Sequence, residues 1–348
     1  MKMQQTINQK GEIEFRKKLV LQQVEHQRIF SDEFDAAGIE KVLAGRMEKT
    51  LVQMTALREK GVMLSPYLEI GAERCQRSLV MENEMGGRGA AVDISFEMLR
   101  SGGYYKDAFQ KTKLPLRVCC DVYNLPFRSS SVPFIFCYET LHHFPDPSPV
   151  VSEIYRTLSE GGNFFFDEEP YKRILHLDLY REKVASAGPA VFKTPVRQTL
   201  DLYFRQAVYN EVEHGIIENY RISLGTWKRA LAPFAHKDVT LTSMQSVQTE
   251  LYRPASWRRY WSAQLQGGFI GGVGWKAGTL THSAAIRDLF ICPTCKEAGA
   301  EPPLTEAGNG YICSRCRKRY PVKEGVVFLF SYGKLKELYP EIFDELLE

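Results

Sequence analysis

The chain has 348 residues, 44% of them hydrophobic and 25% charged, with a formal net charge of +3. That is an ordinary globular composition with interior enough for two or three units, and it forces no disorder on the chain. The near balance of 45 basic and 42 acidic side chains demands neither a nucleic-acid nor a membrane partner, and leaves room only for a local basic patch.

Met1 to Lys10 is polar and lacks the apolar core of a signal peptide, and no later stretch approaches the roughly 20 apolar residues of a membrane span. A cytoplasmic protein with no membrane partner is expected. Ile39, Val42, Leu43, Met47, Leu51, Met54 and Leu57 recur at spacings of three and four, and Gly61 suits a helix end. This predicts an amphipathic helix that packs on a sheet, with a lid over a ligand as the sharper role.

Tyr67 to Ile70 is strand-like, Gly71 follows, and Arg74 to Met81 has helical spacing. A strand feeding a helix through a glycine turn aims backbone N–H groups at a ligand above the strand's carboxyl end. A dinucleotide fingerprint needs more glycines, but Glu73 and Cys75 stand in their places, and an acid beside a pyrophosphate is repulsive. NAD and FAD are therefore disfavoured. S-adenosylmethionine has no phosphate, and its ammonium and ribose diol call for acidic residues such as Glu69.

Asp93 closes the apolar run Gly89 to Ile94, where a carboxylate can accept both ribose hydroxyls. A third strand, Leu116 to Cys120, ends at Asp121 and precedes Leu125-Pro126-Phe127. A fourth, Phe134 to Tyr138, leads into Glu139-Thr-Leu-His-His-Phe-Pro-Asp-Pro147, and Leu158-Ser-Glu-Gly-Gly162 precedes Phe164-Phe-Phe-Asp167. From Leu68 to Asp167 the chain resembles class I S-adenosylmethionine-dependent methyltransferases that carry LPF and LHHF segments. The resemblance implies that Glu69 and Gly71 hold the methionine end, Asp93 the ribose, and Asp121 with Val122 the adenine. Ala72, Ile94 and Tyr138 complete the implied cofactor set. Glu73 and Cys75 depart from the family, which usually has glycines there.

Glu168 to Ser283 is longer than a minimal core of this kind needs, so an α+β insertion is expected. Leu175 to Ala185 and Pro195 to Glu213 read as helices, His236 to Gln248 and Phe269 to Thr279 as strands. Tyr220, Trp227, Tyr252, Trp257, Tyr260 and Trp261 crowd this region, which the resemblance makes the substrate side of the pocket; core packing is the plainer role of each. Gly267 to Gly278 fails the P-loop order because Ala277 follows Lys276, and reads as a flexible loop or bulged hairpin near a ligand.

Cys292-Pro-Thr-Cys295 and Cys313-Ser-Arg-Cys316 have the spacing of a four-cysteine zinc site, closed and therefore structural. The stretch Arg319 to Phe330 resembles the small zinc-ribbon proteins that activate certain RNA and protein methyltransferases. Those proteins pair with the edge of a methyltransferase sheet, so the apolar Val326 to Phe330 run is expected to dock on the core in cis. Lys334 to Leu347 reads as a short acidic helix. Adjacent Cys119 and Cys120 should point to opposite faces of a strand, and packing is expected for both.

Methyl transfer needs alignment and, for a protonated nucleophile, a base. Glu139, His142 and His143, after the fourth strand, are the candidates, with histidine favoured by its ordinary pKa near 6.5. Glu168 and Glu169 read equally as substrate contacts or surface acids. The Asn/Asp-Pro-Pro-Tyr/Phe motif of base-amine methylation is absent after Tyr138.

The whole reads as α/β: a Rossmann-like, mostly parallel sheet with helices on both faces, an inserted α+β segment and a small C-terminal β zinc ribbon. The expected units are 1–62 (N-terminal helical segment), 63–170 (cofactor core), 171–285 (substrate side and remaining strands), 286–332 (ribbon) and 333–348 (C-terminal helix). Methylation of a small or medium-sized acceptor, with S-adenosylmethionine as cofactor and structural Zn2+, is the leading expectation, and no obligate protein partner is evident. An RNA methyltransferase gripping phosphates through Arg315, Arg317, Lys318, Arg319 and Lys323, or a non-catalytic methyltransferase-like binding protein, are the alternatives.

Overall fold

Tyr67–Ile70 (β1) is buried at every position, which a strand tolerates only when both faces of its sheet are covered. The structure, a computed structural model, describes residues 2–24, 36–175, 177, 179–183, 195–208, 217, 219–280 and 284–346. β1 pairs in parallel with Gly89–Asp93 (β2) on one side and Val132–Tyr138 (β4) on the other, Tyr67 lying opposite both Gly89 and Phe134. Leu116–Cys119 (β3) lies outside β2 and Leu158–Tyr171 (β5) outside β4, giving the order β3-β2-β1-β4-β5. The order reverses between β1 and β4, and above the carboxyl ends of those strands an open α/β sheet leaves its crevice.

Helices cover both faces. Lys2–Val24 (α1) and Ala36–Glu59 (α2) precede β1; Gln76–Asn83 (α3) follows β1, Phe96–Ala108 (α4) follows β2, and Ser148–Thr157 (α5) precedes β5. On one face Ile70, Val92, Cys120, Ile135 and Phe166 pack with Val150 and Ile154 of α5. On the other, Ala91 and Cys119 meet Phe96 and Leu99 of α4, while Tyr67, Phe134 and Phe136 meet Met54 and Leu57 of α2. Cys119 and Cys120 therefore do face opposite ways. Burial pushes their thiols, and those of Cys75 and Cys137, well above the usual value, as befits packing groups. The stripe read on α2 is corrected at Val42 and Leu51, which are exposed, while Ile39, Leu43, Met47, Met54 and Leu57 are buried.

Beyond β5 the chain departs from its sequence reading in several places. Tyr180–Lys183 (β6) is a strand where Leu175 to Ala185 reads as a helix, and it pairs with Arg205–Val208 (β7). The helix read over Pro195 to Glu213 stops at Phe204, and residues 209–213 lie outside the described ones. His236–Ser243 (β8) turns back into Gln248–Glu250 (β9) instead of running on as one strand. The strand read over Phe269 to Thr279 is Gly268–Trp275 (β10), which pairs antiparallel with both β5 and β8 with a register shift against β5 between Ile270 and Gly272, so the flexible-loop reading of its glycines is corrected to a central, irregular strand. Its glycines make room for neighbours: a Cβ on Gly274 would stand 2.7 Å from the Phe234 ring.

The last strands are Leu304–Glu306 (β11), Gly310–Cys313 (β12), Arg319–Lys323 (β13) and Val326–Phe328 (β14). β14 pairs in parallel with β3, Val327 opposite Val118, and extends the sheet, among the described residues, to twelve strands in the order β11-β12-β13-β14-β3-β2-β1-β4-β5-β10-β8-β9. The apolar run Val326 to Phe330 is fully covered, as its composition requires. Side chains fasten both sides: Arg117 donates to the Glu324 carbonyl at 3.0 Å, and Glu301 receives Arg156 at 3.0 Å and the Ser129 N–H at 2.9 Å. The single helix read over Lys334 to Leu347 is two, Tyr332–Leu338 and Pro340–Glu345, because Pro340 cannot continue the first but starts the second well.

Candidate active site

A cavity of about 610 Å³ opens above the carboxyl ends of β1 to β4, with α1 and α2 across its top. Gly71, at φ 69°, brings the chain out of β1 so tightly that a Cβ would stand 2.3 Å from Thr140 Oγ1. Glu73 and Cys75 hold φ values of 44° and 63°, so the backbone keeps a glycine-type turn without the glycines. The Ala72 N–H is tied down by the Val92 carbonyl at 3.0 Å.

Asp93 ends β2 and faces the cavity. It accepts the N–H groups of Glu73 at 2.9 Å and Ser95 at 2.8 Å, and burial still pushes its carboxyl up to about 6. Asp121 follows β3, accepts the Tyr123 N–H at 3.0 Å and the Gln9 side chain, and is raised by burial. Ile94 and Val122 line the wall beside these two acids. Glu69, by contrast, lies beneath the cavity and is hydrogen-bonded to Ser78; burial pushes its carboxyl up to about 8.

An ionic lattice closes the top. Glu73 meets Arg16 of α1 at 3.2 Å and Arg46 of α2 at 3.0 Å. Burial opposes its charge, but Arg46 and then Arg16 outweigh that and hold the carboxyl well below the usual range. Arg46 also reaches Glu139 at 2.9 Å, Lys49 meets Asp167 at 2.7 Å and Glu168 at 2.8 Å, and Arg77 lies over the Tyr138 ring at 4.1 Å. Helix α2 thus packs on the sheet with one face and bridges to the cavity rim with the other.

Of the three candidate bases, His142 has the most ordered surroundings. Glu169, fully buried on β5, accepts the N–H groups of Thr140, Leu141 and His142 at 2.7, 2.8 and 3.0 Å, and pairs with His142 Nδ1 at 3.0 Å. A carboxylate so placed is an acceptor, so Nδ1 faces it as the donor. His143 lies alongside, ring centroids 4.4 Å apart, with Nδ1 on the Ile217 carbonyl at 2.9 Å.

Gly71, Asp93, Ile94, Asp121, Val122, Tyr138, Glu139, His142 and His143 all line the cavity, whereas Glu69 and Ala72 do not. Sequence reading missed the α1 wall, including Gln9, Glu12 and Arg16, and the role of Arg46 and Arg77. The Glu12–Arg16 pair at i,i+4, 2.7 Å apart, is a helical signal within α1. The aromatics of the insertion divide: Trp227 and Tyr260 are core, Tyr220 lines the cavity, and Trp257 and Trp261 are exposed.

The sulfurs of Cys292, Cys295, Cys313 and Cys316 lie within 4.8 Å of one another. Two of the separations are 3.6 and 3.9 Å. Four thiolates at about 2.3 Å from a tetrahedral ion stand roughly 3.8 Å apart, so the set fits zinc. No helix among the described residues is long and apolar enough to cross a membrane.

No curated protein matches the chain. Among solved structures, a Haloferax volcanii complex of the Trm112 methyltransferase activator with a putative methyltransferase is similar at 18% identity, covering 69% of this chain and 97% of that one, TM-score 0.35. A Haemonchus contortus phosphoethanolamine N-methyltransferase 2 with S-adenosyl-L-methionine is similar at 15% identity over 65% of this chain and 52% of that one, TM-score 0.39. A Synechocystis PCC 6803 magnesium protoporphyrin IX methyltransferase is similar at 10% identity over 71% of this chain and 90% of that one, TM-score 0.40. Residues 68–166, the stretch that builds the cavity floor from β1 to β5, match the family described as a methyltransferase domain.

Proposed function

We propose that the chain is an S-adenosylmethionine-dependent methyltransferase acting on a small or medium-sized acceptor. One observation carries the reading: carboxylates end β2 and β3, a glycine turn ends β1, and all three open on the same cavity as the His142–Glu169 pair. Those groups suit a ligand with a ribose diol, an adenine and an amino-acid end, and the cavity volume is within the usual range for a cofactor and small substrate. Asp93 takes the ribose hydroxyls, Asp121 and Val122 the adenine, and the turn at Gly71 the methionine end. When bound, the cofactor supplies a methyl group already activated on a sulfonium.

The chain's own residues supply alignment and a proton acceptor. Glu169 is a positioning residue: it fixes the His142 ring and tautomer so that Nε2 can accept the acceptor's proton. Arg16 and Arg46 neutralise Glu73, so an acid in the glycine turn is compatible with the site. A zinc ion on Cys292, Cys295, Cys313 and Cys316 holds the ribbon in shape, and the ribbon supports the core in cis through β14.

The test is to incubate the purified chain with methyl-labelled S-adenosylmethionine and a cell extract, then fractionate. Label in small molecules that disappears with His142→Ala supports the proposal. Label confined to RNA favours the second reading, which the exposed Arg315, Arg317 and Arg319 on the ribbon motivate. Cofactor binding without label in any fraction assigns a binding role instead.

A further inference from the structure

Helix Trp257–Gln266 buries Tyr260 and Ala263 against the sheet but leaves Trp257, Trp261 and Leu265, one turn apart, exposed at 64%, 51% and 38%. The stripe continues onto neighbouring elements. The Met244 N–H donates to the Gly267 carbonyl just past the helix, and the Ile174 N–H donates to the Gln264 carbonyl. Met244 and Ile174 are themselves 62% and 50% exposed. Exposed apolar side chains scattered singly are ordinary, but a contiguous set that includes two tryptophans marks a contact surface.

Charge says what the surface contacts. From Leu251 to Arg287 the sequence has no acidic residue, and Arg253, Arg258 and Arg259 beside the stripe are exposed. Glu250 lies at the edge, its carboxylate receiving the Ala255 N–H at 3.2 Å. Tryptophan flanked by arginine suits the headgroup level of a bilayer, where the ring sits at the boundary and the guanidinium meets lipid phosphates. Single-stranded RNA also takes aromatic and basic side chains, but Ile174, Met244 and Leu265 gain nothing from base stacking and do gain from an acyl layer.

We infer that the face formed by helix Trp257–Gln266, Met244 and Ile174 docks on the surface of an anionic lipid bilayer. This surface is independent of methyl transfer, yet it stands near the cavity. Ile174 is five residues past Glu169, so the bilayer face lies at most about 18 Å along the chain from the His142–Glu169 pair. Peripheral docking involves no membrane-spanning segment.

Sedimentation of the full chain with vesicles of phosphatidylcholine, alone or mixed with phosphatidylglycerol, tests this. The chain is expected to sediment with the mixed vesicles, with a blue shift of tryptophan emission. Trp257→Ala with Trp261→Ala, and separately Arg258→Glu with Arg259→Glu, should each lower partition by about tenfold or more. Because all four side chains are exposed, thermal melts should be unchanged, and Arg315→Glu on the ribbon should leave partition as it is. Failure of the wild type to sediment with mixed vesicles overturns the inference. So does equal binding by the variants, salt-sensitive RNA binding through the same residues in place of vesicle binding, or a dimer that these variants dissociate.

Discussion

Lys334, in the first helix after the ribbon, donates to Gln9 of α1 at 2.9 Å, and Gln9 in turn bonds Asp121 at the end of β3. The ribbon is thereby linked to the cavity wall through two side chains. Lys334 also donates to Thr6 at 2.6 Å, and Tyr339 donates to the Ile94 carbonyl at 2.6 Å, so the chain's end holds both the roof and the floor.

Cutting the chain after residue 286 should therefore do more than remove a domain. It bares the β3 edge and the surface that Phe328 and Tyr339 cover on α4. The fragment should aggregate or become protease-sensitive, and what remains soluble should bind S-adenosylmethionine more weakly than the full chain. A fragment 1–286 that is stable and binds as well would remove the case for support in cis.

Zinc removal should act by the same route. Metal analysis is expected to give one zinc per chain, and a chelator should open residues 292–331 to proteolysis before the core. Full-length protein that purifies without zinc and keeps a protease-resistant ribbon would contradict the four-cysteine assignment.

Asp93 gives a pH dependence with a definite sign. Its carboxyl is raised to about 6, chiefly by burial, so it accepts ribose hydroxyls above that pH and loses this role as pH falls through 6. Cofactor affinity should be steady above neutrality and drop below pH 6. Asp93→Ala should cost about 1 to 3 kcal/mol of binding at neutral pH and flatten the dependence, as calorimetry would read.

Glu69 predicts an effect on stability instead. Its folded value of about 8 lies above the 4.5 of an ordinary carboxyl, so the folded chain holds the proton more tightly and stability falls as pH rises from 4.5 to 8. Glu69→Gln keeps the shape and abolishes the charge. The variant's melting temperature should match wild type near pH 5 and exceed it above pH 8, by the equivalent of roughly 1 to 3 kcal/mol. Parallel melting curves across that range would dismiss the buried-acid reading.

His142 and Glu169 should separate in kinetics from the binding residues. Once an acceptor is in hand, His142→Gln should lower kcat by about 10² to 10⁴ with cofactor affinity retained. Glu169→Gln should also lower kcat, because the amide no longer dictates which ring nitrogen carries the proton. Unaltered turnover in either variant would move the base elsewhere, with Glu139 next in line.

The parallel core was legible because its strands read as apolar runs ending in Gly71, Asp93, Asp121 and Glu139, each at the carboxyl edge where side chains meet a ligand. The cluster of Cys292, Cys295, Cys313 and Cys316 was legible from two CxxC pairs. The part of helix α1 in the cavity wall was not, since its first ten residues are polar and its value lies in Gln9 and Arg16, which have meaning only against Asp121 and Glu73 across the fold. Glu169 was named only as one of two adjacent acids. Nothing local tells a surface acid from one that strand β5 carries beneath a loop 27 residues earlier in the chain. The insertion failed where local signals were weakest: Tyr180–Lys183 has no alternation to set it apart from a helix, and although Phe269 to Thr279 read as a strand, its glycines left a loop open as well because the strands that need their space are distant in sequence.

The most direct measurement is isothermal titration of S-adenosylmethionine into the full-length, zinc-loaded chain at neutral pH, with Asp93→Ala beside it. The account predicts one site per chain and clear weakening in the variant. A wild-type chain that takes up no cofactor at millimolar concentration, or a variant that binds as tightly, would contradict it.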